Sequence, residues 1–302
     1  MSAETAPPGE NVDSPKGFAF ALSAYFLWGF LPFYMKAVAH VPPTEVIAHR
    51  VIWSLPVAGS VLVALRRTSE IKAAFGKPRM LAMAALTASI ITFNWGIYIW
   101  AIGTGRALDA ALGYFINPLF SVLMGAVLLG EKLKTAQKVA IGLAALGVVV
   151  LTVEAGSLPW VALALTVSWG FYAFFRKTLP IGPNQGFFLE VLILTLPALA
   201  YIVYLWWTGQ GHFFAGNAHD TLLLIAAGFI TAVPLILYAN GAKLLKLSTI
   251  GIMQYIAPTM IFLIAVFAFD EPFGTARMIA FPLIWAALVV YSMSMFSGSR
   301  KS

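Results

Sequence analysis

Long apolar stretches, broken only by short polar connections, recur ten times along this chain, at 17–39, 44–65, 80–102, 109–129, 136–154, 158–176, 185–207, 220–242, 249–269 and 275–296. Each is close to the roughly 20 residues that a helix needs to cross the hydrocarbon core of a bilayer. Within them apolar positions are continuous rather than alternating. Strands of a membrane barrel would alternate, whereas a helix satisfies its own backbone polar groups inside lipid, so the pattern predicts helices. The expected fold is an all-α polytopic membrane protein with ten transmembrane helices.

Composition carries the same message. Apolar residues make up 60% of the 302 and charged residues 10%, against roughly a quarter charged in an ordinary soluble domain, which excludes a water-soluble globule. The polar, acidic opening MSAETAPPGENVDSPK reads as a disordered cytoplasmic tail over 1–16, and 297–302 as a second cytoplasmic tail. The apolar run that starts at Gly17 is too long, and its flank too acidic, for a cleaved signal peptide.

The net charge of +7 raises the question of nucleic acid, and the distribution of the basic residues answers it. Lys16, the group from Arg66 to Arg79, Lys132, Lys134 and Lys138, the pairs Arg176-Lys177 and Arg300-Lys301, and Lys243 with Lys246 all fall on one side of the predicted membrane. Only Lys36, Arg106 and Arg277 fall on the other, and Arg50 lies inside a span. Such a bias is a topology signal and puts both termini in the cytoplasm, as expected of a multi-pass protein of the plasma (inner) membrane with no nucleic-acid partner. Cysteine is absent, so a disulfide, a thiol nucleophile and a Cys-ligated metal are all excluded.

Shifting the chain on itself by about 140 residues brings several positions into register. Gly130-Glu131 falls on Asp270-Glu271, Pro118 on Pro258, Tyr98 on Tyr238, Lys36 on Arg176, and Trp28-Gly29 returns one residue out of phase as Trp169-Gly170. Two copies are expected, 17–155 and 156–296, each with five spans. An odd number of spans makes the second copy enter the membrane from the opposite side. Inverted repeats of this kind are a recurrent architecture of secondary transporters, which bind substrate near the midplane between the halves.

Five stretches resemble the RarD branch of the EamA-type drug/metabolite transporter superfamily: W-G-F-L-P from Trp28, P-T-E-V-I-A-H-R from Pro43, N-W-G-I-Y from Asn94, G-Y-F-I-N-P from Gly113 and Q-Y-I-A-P from Gln254. The resemblance spans about Gly17 to Phe296. It implies an inner-membrane permease of ten helices in two five-helix EamA-like halves. The RarD name carries a link to chloramphenicol, while a physiological substrate is not something the resemblance supplies.

Arg50 is the sharpest candidate in the chain. A guanidinium cannot shed its charge, and near mid-bilayer it costs about 2.5–3.5 kcal/mol on insertion scales. Counted from Thr44, it lies about 9 Å deep, with Glu45, His49 and Ser54 within a turn of it. Two readings stand: a binding charge for an anionic or zwitterionic substrate, and a structural arginine satisfied by helix carbonyls or a carboxylate. Glu190 occupies the repeat-equivalent position, about 12 Å away in depth, so indirect coupling to Arg50 is expected rather than direct contact. As a carboxylate inside a span it is the candidate to load and release a proton, which would make a proton gradient the driving force; the alternative is a hydrogen-bonded structural glutamate.

Thr87, Asn94 and Tyr98 share one face of the third span, and Tyr238 with Thr231 repeats that arrangement on the eighth. These faces either line a cavity or hold the bundle through interhelical hydrogen bonds. Pro118 and Pro258 remove backbone donors in equivalent spans, with Tyr114, Asn117, Gln254 and Tyr255 around them, and read as hinges or cavity walls, or as ordinary curvature. Trp28 and Trp169 near span centres would stack on a lipophilic substrate or simply pack. Glu131 and Glu271 read as helix-end anchors. No His pair inside a span has metal-ligand spacing, no Walker-type phosphate loop is present, and no cofactor is expected. The leading function is therefore a secondary transporter of small organic molecules, exporting by alternating access. A polytopic membrane enzyme, or a non-transporting membrane partner, is the alternative. Oligomeric state has no signature in the chain.

Overall fold

The computed structural model describes residues 14–130, 132–178, 180–242, 244–245 and 247–299. Most of the amino-terminal tail, Glu131, Lys243, Lys246, Arg300 and Lys301 lie outside the described residues. Twelve helices are formed among them: α1 (Pro15–Ala37), α2 (Pro43–Ala64), α3 (Ser69–Phe75), α4 (Pro78–Gly103), α5 (Ala107–Leu129), α6 (Thr135–Ala155), α7 (Trp160–Thr178), α8 (Pro183–Thr208), α9 (Ala218–Ala242), α10 (Leu247–Met253), α11 (Ile256–Phe267) and α12 (Thr275–Ser299). Proline at the first turn of α1, α2 and α4 starts each helix where a missing N–H costs nothing. Gly130 and Gly156 end α5 and α6 at φ of 68° and 64°, a left-handed turn that a side chain would resist.

Nine segments among the described residues are long and apolar enough to cross a membrane. The sixth expected span, α7, is not one of the nine; it forms as a helix, but Ser168, Trp169, Tyr172 and the terminal Arg176-Lys177 dilute its apolar content. The ninth span is split. The turn at Gln254 and Tyr255 separates α10 from α11, so Pro258 sits in the first turn of α11 rather than in mid-helix. At the equivalent place, α5 continues unbroken through Pro118. The two prolines are thus not equivalent kinks: one follows a break, the other is absorbed by a continuous helix.

The main packings are α1 on α9 and α11, α7 on α4 and α5, α2 on α8 and α9, α8 on α4, α5 on α11, and α6 on α12. Exchanging α1, α2, α4, α5 and α6 for α7, α8, α9, α10–α11 and α12 returns the same set of pairs. Local contacts follow the same exchange. Gly29 on α1 lies against Met260 of α11, and Gly170 on α7 lies against Phe120 of α5, each without room for a Cβ. Small residues that let helices approach are what holds a bundle together where hydrocarbon removes the hydrophobic drive. A close backbone approach is at Gly228 of α9, where the backbone of Trp53 on α2 occupies the space a Cβ would need, with Ser54 Oγ donating to the Gly228 carbonyl at 3.2 Å. Large apolar side chains such as Val153, Leu196, Trp206 and Trp207 face outward and exposed, as a lipid-facing surface requires.

Glu271, in the α11–α12 connection, is buried and accepts from the amides of Ala107 at 2.6 Å and Leu108 at 2.9 Å. It therefore caps the amino terminus of α5 with a negative charge, favoured by the helix dipole. Glu271→Ala leaves two buried amides open and is expected to cost about 1–3 kcal/mol, read as a lower melting temperature of the detergent-purified protein. Gly228→Ala is expected to cost a similar ~1–3 kcal/mol by forcing α9 away from α2. Gly142→Ala on α6, where nothing lies within 4 Å, leaves the melting temperature unchanged and serves as the control.

Candidate functional site

α2 lies between α8 and α9 and buries a face that includes Glu45, His49, Arg50 and Ser54. Burial of two ionisable groups and an imidazole on one helix face demands partners. Arg50, only 5% exposed, donates from Nε to Thr231 Oγ1 of α9 at 2.9 Å. Its guanidinium carbon lies 4.5 Å from the centre of the Trp95 ring of α4, a cation–π contact. Tyr34, Tyr98 and Tyr114 lie within electrostatic reach. Nη1 is buried and has no hydrogen-bond partner, and among the described residues no carboxylate lies within ion-pair distance of Arg50. A fixed cation is thus held by a hydroxyl and a ring, with part of its donor set unused.

The rings continue from there. Tyr98 and Tyr114 have centroids 5.8 Å apart, Tyr114 meets Trp169 at 6.4 Å, and Trp169 meets Tyr172 at 5.7 Å, so α4, α5 and α7 share one aromatic ladder. The Tyr98 hydroxyl is buried without a partner, as are the Oδ1 atoms of Asn94 and Asn117. Asn94 also ties α4 to α7, donating from Nδ2 to the Leu165 carbonyl at 3.1 Å and to Ser168 Oγ at 2.9 Å. His49 stands beside this group. Trp53 Nε1 donates to His49 Nδ1 at 3.2 Å, and since an indole nitrogen only donates, a neutral His49 carries its proton on Nε2, which is buried and unpartnered.

Glu190 forms a second centre on α8. It accepts from Thr87 Oγ1 at 2.8 Å and Tyr172 Oη at 3.1 Å, and pairs with Arg176 Nε at 3.3 Å. Its ionic partner is thus Arg176, a residue the sequence assigns to a cytoplasmic loop, and not Arg50. The two centres are built alike: Arg50 of α2 is held by a threonine of α9, and Glu190 of α8 by a threonine of α4. Trp28 and Tyr238 are brought together elsewhere, 5.5 Å apart, in a cluster with Tyr25, Met253 and Ala257 on α1, α9, α10 and α11. Gln254 is turned to its own helix, donating to the Gly251 carbonyl at 3.0 Å, and Tyr255 sits with it at the α10–α11 break. Of the expected binding residues, then, Arg50, His49, Asn94, Tyr98, Tyr114, Asn117 and Trp169 lie on α2, α4, α5 and α7, Trp28 and Tyr238 pack in a separate cluster, and Tyr255 packs against the same core as Tyr98 and Tyr114.

Several participants find partners that the sequence does not indicate. Glu45, at the start of α2, accepts from the backbone amide of His212 at 2.7 Å and contacts its Nδ1 at 2.8 Å. Asp220, at the start of α9, pairs with His40 at 3.0 Å and His219 at 3.5 Å. Phe213 lies tilted against His49, with ring centres 4.6 Å apart, and 6.1 Å from Trp53. The α8–α9 connection therefore folds over the beginning of α2 and closes that end above Arg50. Histidines and acids 167 residues apart have no spacing to read. Trp95 and Tyr34 look like ordinary core aromatics until α2 is placed beside them. Among the described residues no group of three or more His, Asp or Glu is arranged to hold a metal. A separate recess of about 620 Å³ opens between α5, α6, α7 and α12, where Arg277 and Asp109 are paired with each other at 3.1 Å.

Residues 15–153 match the EamA-like transporter family. Over 286 residues, covering 95% of this chain and 91% of the relative, the chain is 40% identical to Protein RarD of Streptomyces exfoliatus. It is also 40% identical, over 94% of both chains, to an uncharacterized transporter of Vibrio cholerae. A solved crystal structure aligns over 93% of this chain and 97% of its own with a TM-score of 0.59 at 21% identity, which shows a shared fold. Full-length similarity at this level, on an all-helical membrane fold, places the chain in a known group: it belongs to the EamA-like transporter family, in its RarD branch.

Proposed function

We propose that this chain carries small organic molecules across the inner membrane by alternating access, exporting them, with Arg50 as the binding charge. Two inverted halves, 17–155 and 156–296, rock against each other about the level of Arg50 and Glu190, with both termini in the cytoplasm. The observation that carries this reading is the buried guanidinium with, among the described residues, no carboxylate in ion-pair distance and an unused Nη1. A purely structural arginine in hydrocarbon would be expected to have all its donors met, because an unpaired buried charge is strongly destabilising. The self-exchanging helix pairs and the paired threonine contacts at Arg50 and Glu190 support the two-half arrangement.

Proton coupling belongs to the same reading. In this conformation three donors occupy Glu190, so it takes up a proton only once Arg176 withdraws. Such an exchange of partners would tie protonation to the movement of α7 against α8.

Counterflow in proteoliposomes, with a panel of labelled organic anions, amino acids and neutral drugs, tests the first claim. At least one compound is expected to exchange, and Arg50→Ala is expected to weaken its apparent affinity about 10- to 100-fold, the worth of one charge-assisted hydrogen bond, while the protein stays monodisperse. Unchanged affinity in that variant removes Arg50 from the site, and product formation without exchange would establish an enzyme instead. For the second claim, Glu190→Gln is expected to abolish the response of uptake to a pH gradient while gradient-free exchange persists; an intact gradient response overturns the proton role.

A further inference from the structure

The chemistry around Arg50 narrows what this site accepts, and we infer that its substrates are flat, aromatic monocarboxylates, with zwitterions and dianions discriminated against. The inference rests on the transport reading above and adds the substrate class. It begins with charge. Arg50 supplies one full positive charge, and Arg50 has no carboxylate in ion-pair distance among the described residues. The two buried carboxylates closest in the fold are already engaged: Glu190 by Thr87, Tyr172 and Arg176, and Glu45 by the amide and ring of His212. An ammonium group arriving with a carboxylate would leave water and meet no anion. A second carboxylate would meet no second cation. Either is held less well than a single carboxylate, because a charge transferred from water needs both a counter-charge and hydrogen bonds, and for an ammonium only amide oxygens and ring faces are on offer.

Geometry selects within the monoanions. The Nε edge of Arg50 is committed to Thr231 and one face of the guanidinium to Trp95, which leaves the Nη end for the carboxylate. The hydroxyl of Tyr98, buried without a partner, is a second open donor. The rings of Trp95, Tyr98, Tyr114 and Trp169 supply faces and edges against which a planar body packs. Beyond that layer stand two unmet acceptors. Asn94 is four residues before Tyr98 on α4 and Asn117 three residues after Tyr114 on α5. Because α4 and α5 are consecutive and antiparallel, both carboxamides lie on the same side of the Tyr98–Tyr114 pair, about 4.5–6 Å along the helix axes. Their Oδ1 atoms are buried and open. Open acceptors on that side of the ring pair suit a hydroxyl or ring N–H carried by the aromatic body, as in 4-hydroxybenzoate.

The test is counterflow of labelled 4-hydroxybenzoate in proteoliposomes of the full chain, competed by benzoate, tyrosine, terephthalate and chloramphenicol, which are a monoanion, a zwitterion, a dianion and a neutral aromatic at pH 7. The expected order is 4-hydroxybenzoate, then benzoate, with the other three each at least about tenfold weaker, the loss that follows from one unpaired buried group. Asn117→Leu is expected to narrow the preference for 4-hydroxybenzoate over benzoate. Should Arg50→Ala fail to fold, Arg50→Lys keeps the charge, and with it the discrimination against tyrosine and terephthalate. Tyrosine or terephthalate competing as well as benzoate, in an Arg50-dependent manner, overturns the substrate class and leaves the transport reading standing. Exchange of 4-hydroxybenzoate, or competition by any of the four, that is indifferent to Arg50 overturns the placement of the site itself.

Discussion

A guanidinium keeps its proton even in hydrocarbon, and this constraint organises the centre of the molecule. Arg50 is placed on the second turn of α2, so α2 cannot face lipid on that side; it must turn inward, and whatever it meets must supply acceptors or rings. Thr231 and Trp95 do so from α9 and α4, which fixes the three helices about one point. The close approach of α2 and α9 at Gly228 lies one turn away and makes the Arg50–Thr231 bond short enough to form. Packing and electrostatics are thus the same fact seen at two positions of one helix pair.

The second centre obeys the same rule with opposite charge. Glu190 needs donors, and finds them on α4 and α7. The contrast between the centres is instructive. Around Glu190 the demand of the charge is met within the protein, while around Arg50 it is met only partly; open donors and acceptors lie on α2, α4 and α5, with others at Gln185 and Tyr255. A membrane protein that leaves polar atoms open at its centre leaves them for something that arrives there, since no solvent in the lipid phase would compensate them.

Much of this was readable in the chain because lipid makes every departure from apolarity conspicuous. The spans, the sidedness of the basic residues, Arg50 and Glu190 each stand out against a background of alanine, leucine and phenylalanine. Glu271 was read as a helix-end anchor and does cap α5. The partners were not readable. Thr231 is 181 residues from Arg50, and nothing local marks Trp95, Tyr34 or His212 as neighbours of α2. The break between α10 and α11 also escaped, because the apolar run continues across it; its one trace was the polar pair Gln254-Tyr255 two residues ahead of a proline. Trp28 with Trp169 and Tyr98 with Tyr238 occupy matched positions, yet side chains at matched positions of two halves need not converge, and here Trp28 and Tyr238 pack apart.

The carboxylate of Glu271 and the first amides of α5 are 164 and 163 residues apart, and they meet only when nearly the whole chain exists. A ribosome threading this protein into the bilayer releases α5 long before its cap is synthesised. Until residue 271 emerges, the start of α5 depends on water or lipid headgroups for its amides, so the early half waits in a provisional form. Completion of the first five spans is therefore an event of late biosynthesis, and a nascent chain arrested before that point would hold a full set of early helices with one end still unfinished.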